Sequence, residues 1–308
     1  MSSTPDRGGI DLGGTKIQAA VVSAENEVLG EAREPTPSKG GPADVADAIV
    51  TALGAAARAV GTEPAGLAGV GVGSPGQVDG DAGTVTGARN LPGWEGTFAL
   101  AEYLAGALGT GVRIGNDVQV ATDAEFRLGA GRPYRSLLGV FWGTGVGGGI
   151  ILDGRDWVGR GAAGELGHVV VEIGGARCPC GRRGCLEAYA GRGAMEKEAR
   201  RRHEEGEDTA LFKIMKKKGH DRLKSGVWEA ALAEGDKMAK HLLDRAVKAL
   251  GAGVGSAVNL LDVEAVIIGG GLGLRFGEPF GERIEHQISK HLFADDRPPA
   301  IHVAELGT

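Results

Sequence analysis

The sequence is poor in cysteine, in net positive charge and in long apolar runs, and each shortage argues against a class of protein. Only three cysteines occur among 308 residues, all between positions 178 and 185, which is a poor framework for disulfides. Lysine and arginine number 34 against 40 aspartates and glutamates, so the net charge of −6 disfavours a binder of nucleic-acid backbones. The uncharged run at 251–261 is shorter than the ~20 residues that cross a membrane.

The start of the chain also lacks the basic residues and apolar run of a secretory signal. This composition predicts a soluble cytoplasmic protein that binds neither nucleic acid nor membranes. Glycine, in contrast, is abundant, with 56 residues, against a usual share of ~7%. Because the glycines follow no strict period and 42% of the residues are hydrophobic, we expect them in turns and tight loops of about two folded domains.

A pattern of strand, glycine turn and strand occurs twice. Residues 10–22 place apolar residues on both sides of Gly-Gly-Thr at 13–15, and residues 140–152 do so around Gly-Thr-Gly at 143–145. This repetition predicts a duplicated α/β domain in which the two loops face each other across a cleft. Two unrelated glycine hairpins would give the same pattern, and the sequence leaves that alternative open.

Apolar spacing predicts the remaining elements. We expect helices at 42–60, 97–108, 117–128 and 236–261, with Thr97 as the N-cap of the second, and a buried strand at 263–268. Three glycines between 251 and 255 weaken the second half of the longest helix. The division between lobes is predicted near 109–113, which gives a small lobe of residues 1–112 and a large lobe of residues 113–308.

His168, Cys178, Cys180 and Cys185 form the most distinctive cluster, with the spacing H-x9-C-x-C-x4-C. Zinc prefers four such ligands in a tetrahedron, and a closed set of this kind shapes a loop instead of activating water. We therefore predict a structural zinc site. Three reduced thiols beside an unrelated histidine are the alternative.

The glycine loops are candidates for phosphate binding, because N–H groups freed by glycine can point inward at phosphate oxygens. Neither loop matches the Walker or dinucleotide-binding pattern. Hydroxyl groups of Thr15 and Thr144 and the charge of Lys16 add to the donors. The predicted nucleotide-binding residues are Asp11, Gly13, Gly14, Thr15, Lys16, Thr144, Gly145, Gly270 and Gly271.

Acidic residues follow two of the predicted strands. Asp11 stands beside the first loop, where it can hold Mg²⁺ or simply stabilise a turn. Asp117 follows Asn116 at the start of a helix, whose N-terminus favours the ionised carboxylate. That position suits a base that accepts a hydroxyl proton in phosphoryl transfer, although an ordinary helix cap has the same geometry.

Other polar residues suit a polyhydroxylated ligand. Glu165, His168 and Glu187 surround the cysteines and offer hydrogen-bond donors and acceptors, with surface ion pairs as the alternative. The turn from Asn90 to Trp94 carries an aromatic ring that either lines a sugar pocket or pins a loop.

These motifs resemble those of the ROK family of sugar kinases and sugar-responsive repressors, and especially its bacterial glucokinases. Residues 11–16 and 143–149 look like the family's two phosphate loops, and Asn116-Asp117 resembles its Asn-Asp pair. Residues 165–168 are similar to its E-x-G-H motif, and residues 178–187 to its zinc signature C-x-C-G-x-x-G-C-x-E. The resemblance covers most of the chain and implies a two-lobed actin-like or hexokinase-like (ribonuclease H-like) α/β fold with a structural zinc loop.

The resemblance also implies an enzyme that uses ATP and Mg²⁺ to phosphorylate the 6-hydroxyl group of glucose, with Asp117 as the general base. It implies a homodimer whose ligands are a sugar and ATP. One nitrogen of His168 would bind zinc and the other a sugar hydroxyl. The implied sugar-binding residues are Asn90, Asn116, Asp117, Glu165, His168 and Glu187.

Two departures from the family pattern affect these expectations. Arg7-Gly8-Gly9 precedes Ile10 where the family usually has apolar residues, so the first strand is predicted to be short. Family members usually continue past the strand at 300–304 into a final helix, and without that helix we expect a weaker small lobe. No winged helix precedes Ile10, which favours the kinase branch over the repressors.

Several alternatives remain open at this point. Fructokinase and N-acetylmannosamine kinase belong to the same family. A non-catalytic sugar sensor and a zinc-binding interaction module belong to other functional classes.

Overall fold

The computed structural model describes residues 5–307, which divide into two compact units. The first unit runs to Val120 and includes Gly159–Ala162, and the second comprises Ala121–Val158 and the chain from Ala163 onward. Each unit has its own five-stranded sheet and its own buried core.

The first unit contains a five-stranded sheet in the order β3-β2-β1-β4-β8 and a small sheet in the order β5-β6-β7. Its elements are β1 (Arg7–Leu12), β2 (Lys16–Val22), β3 (Val28–Pro35), α1 (Pro42–Ala59), β4 (Val70–Ser74), β5 (Gln77–Asp79), β6 (Thr84–Thr86), β7 (Thr97–Phe98), α2 (Leu100–Leu108) and β8 (Val112–Asn116). Helix α3 (Asp117–Leu128) follows β8 without a loop.

The second unit contains a sheet in the order β11-β10-β9-β12-β13. Its elements are β9 (Leu137–Trp142), β10 (Val146–Leu152), β11 (Arg155–Asp156), α4 (Glu187–Ala190), α5 (Arg192–Glu204), α6 (Leu211–Lys217), α7 (Ser225–Ala233), α8 (Lys237–Leu261), β12 (Ala265–Gly269), α9 (Gly270–Ser289) and β13 (Ala300–Val303). No helix within residues 5–307 is long and apolar enough to cross a membrane.

The two sheets repeat one topology. In each, the first strand pairs antiparallel with the second and the second with the third, while two later strands add in parallel on the other side. The predicted duplication of an α/β domain is therefore confirmed, and the alternative of two unrelated hairpins is excluded.

The first strand is not shortened by its glycines, contrary to the prediction. Strand β1 begins at Arg7 and includes Gly8, which is buried. Side chains of Leu53, Leu67 and Val70 lie 3.1–3.2 Å from the place that a Cβ on Gly8 would take. Side chains of neighbouring residues thus fill the space beside Gly8. Backbone pairing and hydrogen bonds from the Arg7 side chain to Ser23 and Asn26 hold this part of the strand.

The prediction of Thr97 as the N-cap of α2 is wrong. Thr97 belongs to β7, where its hydroxyl group lies 2.8 Å from that of Thr86 on β6, and the helix begins at Leu100. The predicted end is correct, because Gly109 adopts the left-handed conformation with φ of 69°.

The first unit extends beyond the predicted boundary at residue 112. Strand β8 pairs in parallel with β4 over its full length, from Val112 to Asn116. Ladder hydrogen bonds therefore join the strand that carries Asn116 to the first sheet, and the continuous part of the unit runs to Val120.

Helix α8 is unbroken through its glycines, which permit a close approach to α9 and to the turn that follows it. A Cβ on Gly251 would overlap Gln287, and a Cβ on Gly255 would lie 2.7 Å from the Cβ of His291. At the other end of the helix, the side chain of Asp236 accepts a hydrogen bond from Ala239 N–H (2.7 Å) and provides the N-cap.

Candidate functional site

Asp11 and the Asn116-Asp117 pair lie at one edge of the first sheet. Asp11 pairs in register with Gly73 on β4, and Gly73 pairs with Gly115 on β8. Two strand spacings therefore separate Asp11 from Gly115, which is about 10 Å. Gly73 packs directly against Asp117, since a Cβ on Gly73 would lie 3.4 Å from the Cα of Asp117.

Asn116 provides the N-cap of α3. Its side-chain oxygen accepts hydrogen bonds from Val118 N–H (3.1 Å) and Gln119 N–H (3.2 Å). Asp117 is half-buried in the first turn, where its carboxylate accepts a hydrogen bond from Val118 N–H (2.9 Å). Asn116 therefore provides the helix cap that was considered for Asp117. The carboxylate of Asp117 lies in the first turn, at the positive end of the helix.

Thr36 forms hydrogen bonds with the first glycine loop (residues 13–16). Gly13 N–H donates to the carbonyl oxygen of Lys16 (3.0 Å), while the buried Thr36 hydroxyl donates to the carbonyl oxygen of Gly13 (2.6 Å). Thr36 N–H also donates to the carbonyl oxygen of Thr15 (3.1 Å). These bonds turn loop carbonyl groups toward the protein, which suits a loop that accommodates an anion.

Asp11 and Asn90 adjoin the first glycine loop. Asp11 is exposed, yet the atoms packed around its carboxylate raise its pKa, an effect that the Lys16 ammonium group opposes. A carboxylate that has lost part of its hydration favours a nearby cation. Asn90 lies against the loop, since a Cβ on Gly14 would be 3.0 Å from the carbonyl oxygen of Asn90.

Trp94 pins a loop and does not line a pocket. Its side chain is 1% exposed, and its indole N–H donates to the carbonyl oxygen of Val85 (3.2 Å). The ring also contacts Phe98 edge to face, with centroids 5.7 Å apart. Of the two alternatives for this aromatic residue, the structural one is correct.

The second glycine loop (residues 143–145) is bound by the start of α5. The carbonyl oxygens of Gly143 and Thr144 accept hydrogen bonds from the N–H groups of Arg192 and Gly193, both at 3.0 Å. Gly143 N–H donates to the carbonyl oxygen of Gly145 (3.0 Å), which closes the turn. The Arg192 side chain donates to the hydroxyl oxygen of Thr144 (2.6 Å).

The third glycine run meets the second glycine loop within the second unit. Gly270 has φ of 78°, and a Cβ there would lie 2.8 Å from the carbonyl oxygen of Trp142, so only glycine fits. A Cβ on Gly143 would lie 3.8 Å from Gly271 N. Next to Gly271 is an open groove of about 750 Å³, here called the α7 groove. Its lining includes Lys224, Ser225, Gly226, Glu229, Gly271 and Arg275.

The four predicted metal ligands converge in the second unit. The ligand atoms of His168, Cys178, Cys180 and Cys185 all lie within 4.8 Å of one another. Sγ of Cys178 is 3.7 Å from Nδ1 of His168, and Sγ of Cys180 is 3.8 Å from Sγ of Cys185. A tetrahedron with Zn–S bonds of about 2.3 Å has edges of about 3.8 Å, so the donor set fits zinc.

Two of the three thiols, those of Cys178 and Cys185, resist ionisation in the absence of a cation. Burial raises the pKa of Cys178 to about 12 and also raises the pKa of Cys185. A backbone hydrogen bond from Arg182 lowers the pKa of Cys180. Zinc binds the deprotonated form, so an ion at this position would displace the protons.

Three sugar-binding candidates lie in the second unit, two of them at the Cys/His cluster (His168, Cys178, Cys180 and Cys185) and one at the second glycine loop. His168 directs Nδ1 toward Cys178, and its Nε2 lies 3.8 Å from a carboxylate oxygen of the exposed Glu165. The carboxylate of Glu187 accepts a hydrogen bond from Val146 N–H (3.0 Å), directly after the loop.

Each unit therefore brings together its own share of the predicted residues. Asp11, residues 13–16, Asn90, Asn116 and Asp117 lie in the first unit, and the remaining candidates lie in the second. Sequence reasoning missed Thr36 and Arg192, which brace the two glycine loops. Arg192 stands in a Gly-Arg-Gly triplet shortly after the cysteines, which was an available signal, whereas nothing near Thr36 marks it.

Comparisons with known proteins identify the family. The model of the ROK family matches residues 7–308. The chain belongs to the ROK family. A glucokinase from Thermotoga maritima is 35% identical over 285 residues, which is 91% of this chain and 87% of the relative. An N-acetyl-D-glucosamine kinase from Pectobacterium atrosepticum is 34% identical over 281 residues, covering 86% of this chain and 83% of the relative.

A solved structure supports the same assignment for the fold. The ROK family glucokinase from Streptomyces griseus, in complex with glucose and AMPPNP, matches with a TM-score of 0.83 and 32% identity. The match covers 98% of this chain and 95% of that one. The predicted family and the predicted α/β fold are both confirmed.

Proposed function

We propose that this protein transfers the γ-phosphoryl group of ATP to the 6-hydroxyl group of glucose. It is a sugar kinase, as its family and its glucokinase relatives indicate. The choice of glucose and of its 6-hydroxyl group is our proposal. The observation that carries the phosphoryl transfer is the register that puts Asp11 and Asp117 at one edge of the first sheet, beside the first glycine loop. The choice of glucose follows the glucokinase relative.

Asp117 acts as the general base in this proposal. Its carboxylate accepts the proton of the 6-hydroxyl group while the sugar oxygen attacks the γ-phosphorus and the bond to the bridging oxygen of ADP breaks. The N-terminus of α3 favours the ionised form that this role requires. Asn116 holds the helix start and so orients the base.

The glycine loops bind the phosphates. Residues 13–16 and 143–145 supply backbone N–H groups, the hydroxyl groups of Thr15 and Thr144, and the charge of Lys16. Asp11 would hold Mg²⁺, directly or through water, and this ion supplies positive charge against the phosphate oxygens. Gly270 and Gly271 border the nucleoside, for which the α7 groove offers room.

The sugar hydroxyl groups are bound by polar residues around the Cys/His cluster and by Asn90, Asn116 and Asp117. Glu165, His168 and Glu187 are exposed or half-buried, so each can reach a ligand. A zinc ion held by His168 and the three cysteines would keep His168 and its loop rigid. We extend the proposal to a cytoplasmic homodimer on the family resemblance alone.

One relative supports a second candidate substrate. The N-acetyl-D-glucosamine kinase from Pectobacterium atrosepticum is nearly as similar to this chain as the first glucokinase. A kinase for an N-acetylated hexose is therefore the alternative to glucose. The glucokinase and the N-acetyl-D-glucosamine kinase named above support neither fructose as the substrate nor a purely sugar-sensing role.

A substrate panel tests the proposal. The purified protein is assayed for sugar-phosphate formation with glucose, N-acetylglucosamine, N-acetylmannosamine and fructose, each with ATP or polyphosphate as donor, and ADP is also measured in the reactions with ATP. We expect the highest kcat/KM with glucose and ATP, and a 6-phosphate as the product in ³¹P NMR. A higher kcat/KM with an N-acetylated hexose would select the alternative, and no ADP with any sugar would overturn the proposal.

A further inference from the structure

Arg192 connects the second glycine loop to the α7 groove. Its guanidinium group donates from Nη2 to the hydroxyl oxygen of Thr144 (2.6 Å) and from Nη1 to the carbonyl oxygen of Leu223 (3.2 Å). Leu223 is buried and precedes Lys224 and Ser225, which line the groove. One half-buried side chain thus contacts the second glycine loop and the residue that directly precedes the groove lining.

The contact with Arg192 determines where the hydroxyl hydrogen of Thr144 points. A guanidinium group has five N–H donors and no acceptor, so the Thr144 oxygen accepts in this hydrogen bond. The hydroxyl hydrogen of Thr144 therefore points away from Arg192 and is available to another acceptor. Because Thr144 is exposed at the turn of the loop, a phosphate oxygen of the donor nucleotide is an acceptor of the right chemistry.

The backbone N–H groups at the start of α5 also orient the second glycine loop. The N–H groups of Arg192 and Gly193 occupy the carbonyl oxygens of Gly143 and Thr144. Those oxygens would repel a phosphate if they faced it, and their hydrogen bonds hold them toward α5. The start of the helix thus orients the loop as well as the side chain of Thr144.

The far end of Arg192 is equally well anchored. Leu223 N–H donates to the carboxylate of Glu196 (3.1 Å), which is buried and also binds Arg200 and Arg222. The Trp228 indole N–H donates to the same carbonyl oxygen of Leu223 that Arg192 uses (3.1 Å). The backbone of Leu223 is therefore held in place on both sides, and it anchors Arg192 where the guanidinium group contacts the loop. Burial lowers its pKa, so its charge is incompletely solvated and an anion nearby would compensate for the lost hydration.

We propose that Arg192 is a positioning residue for the phosphate donor. It orients the Thr144 hydroxyl group as a donor to a phosphate of ATP and fixes the second glycine loop against the wall of the α7 groove. This inference rests on the proposed kinase activity. It assigns to Arg192 an effect on ATP that is transmitted through Thr144, with no effect on the sugar.

A double-mutant cycle tests the proposal. Arg192→Met, Thr144→Val and the double variant are compared with the wild type in steady-state kinetics and in calorimetric binding of a non-hydrolysable ATP analogue. We expect Arg192→Met to raise the KM for ATP and the Kd of the analogue by about tenfold or more. The KM for glucose should stay within about twofold. In the Thr144→Val background the same substitution should have a much smaller effect on ATP.

Two controls keep the result interpretable. Arg202→Met removes another partly buried arginine of α5, one that pairs with Glu207 (2.6 Å), and it should leave the KM for ATP unchanged. Arg192→Lys keeps the charge but cannot span both contacts, so it should fall between the wild type and Arg192→Met, and it provides the test if Arg192→Met does not fold.

The possible failures are distinguishable. A wild type that phosphorylates no sugar with ATP overturns the proposed function. An active wild type whose Arg192 variants leave ATP binding unchanged, weaken glucose and ATP binding equally, or show effects independent of Thr144 overturns the role of Arg192 alone.

Discussion

The carboxylate of Glu187 accepts a hydrogen bond from Val146 N–H at 3.0 Å, and this contact joins a candidate sugar-binding residue to the second glycine loop. Gly145 permits the approach, because a Cβ there would overlap the same carboxylate. Gly167, which precedes His168, packs directly against Val146, since a Cβ on Gly167 would overlap the carbonyl oxygen of Val146. The candidate sugar residues and the candidate phosphate loop of the second unit therefore form one packed structure.

Substitutions of Glu187 should separate its two contacts. Glu187→Gln keeps an oxygen that can accept from Val146 N–H, whereas Glu187→Ala leaves that N–H unpaired, at a cost of about 1–3 kcal/mol. We expect both variants to raise the KM for glucose, but only Glu187→Ala to raise the KM for ATP, by about tenfold. Steady-state kinetics with each substrate varied in turn measures this, and equal ATP constants for the two variants would contradict it.

Loss of the Asp117 carboxylate should affect turnover far more than binding. Asp117→Asn keeps the size of the side chain but cannot accept the hydroxyl proton, so kcat should fall by about 10²–10⁴. Glucose affinity, measured by calorimetry, should stay within about threefold, because the asparagine amide can still form a hydrogen bond with the sugar hydroxyl group. Asp123→Asn is the matched control, since Asp123 lies on the same helix in an ion pair with the exposed Arg127 (2.7 Å). Near-normal turnover of Asp117→Asn would exclude it as the base.

The sequence predicted those parts of the molecule that depend on local signals. The two hairpins follow from apolar segments on either side of a glycine turn, and Asp236 and Gly109 mark the ends of helices by capping chemistry that involves only their near neighbours. The Cys/His cluster was predictable for the same reason, because its three cysteines lie within eight positions.

The contacts that the sequence did not reveal are long-range. Thr36 reaches Gly13 across 23 positions, and Arg192 reaches Thr144 across 48. The assignment of β8 to the first unit likewise depends on its pairing with β4, about 40 residues earlier, which no local pattern specifies. Thr97 was assigned to the wrong element because a cross-strand partner, Thr86, outweighs its preference for a helix cap.

Removal of the metal should weaken both the fold and ATP binding. If zinc occupies the Cys/His cluster at a thousandfold excess over its Kd, chelation lowers the free energy of unfolding by about 4 kcal/mol, and the Tm should fall accordingly. The KM for ATP should rise as well, because Gly167 and Glu187 both contact Val146. Metal analysis should find one zinc ion per chain, lost in Cys185→Ser.

Zinc affinity should also depend on pH in a defined direction. The pKa of Cys178 is about 12 and that of Cys185 is also raised, so these thiols are protonated at neutral pH without the metal. Zinc must displace those protons, and its apparent affinity should therefore increase from pH 6 to pH 8. Competition with a chromogenic chelator measures the affinity. Zinc should restore the Tm of the chelated protein, and a Tm unaffected by chelation would contradict a structural metal.

Glu196 should make the stability of the second unit sensitive to acid. Burial acts to raise its pKa, but hydrogen bonds from Arg200 (2.7 Å), Arg222 (3.0 Å) and Leu223 N–H (3.1 Å) outweigh burial and lower it. A carboxyl group with a lowered folded-state pKa stabilises the protein fully above its unfolded pKa of about 4.3. That contribution is lost as the pH falls through the folded value.

Glu196→Gln tests this linkage. Because both arginines are partly exposed, their charges stay hydrated without the carboxylate, and the substitution should cost only about 1–2 kcal/mol at pH 7. Urea unfolding from pH 7 downward should show the difference from the wild type shrinking below about pH 5. Glu205→Gln removes an exposed partner of Arg201 and should leave the midpoint of urea unfolding unchanged. A Glu196→Gln difference that stays constant with pH would mean that Glu196 contributes through its packing and not through its charge.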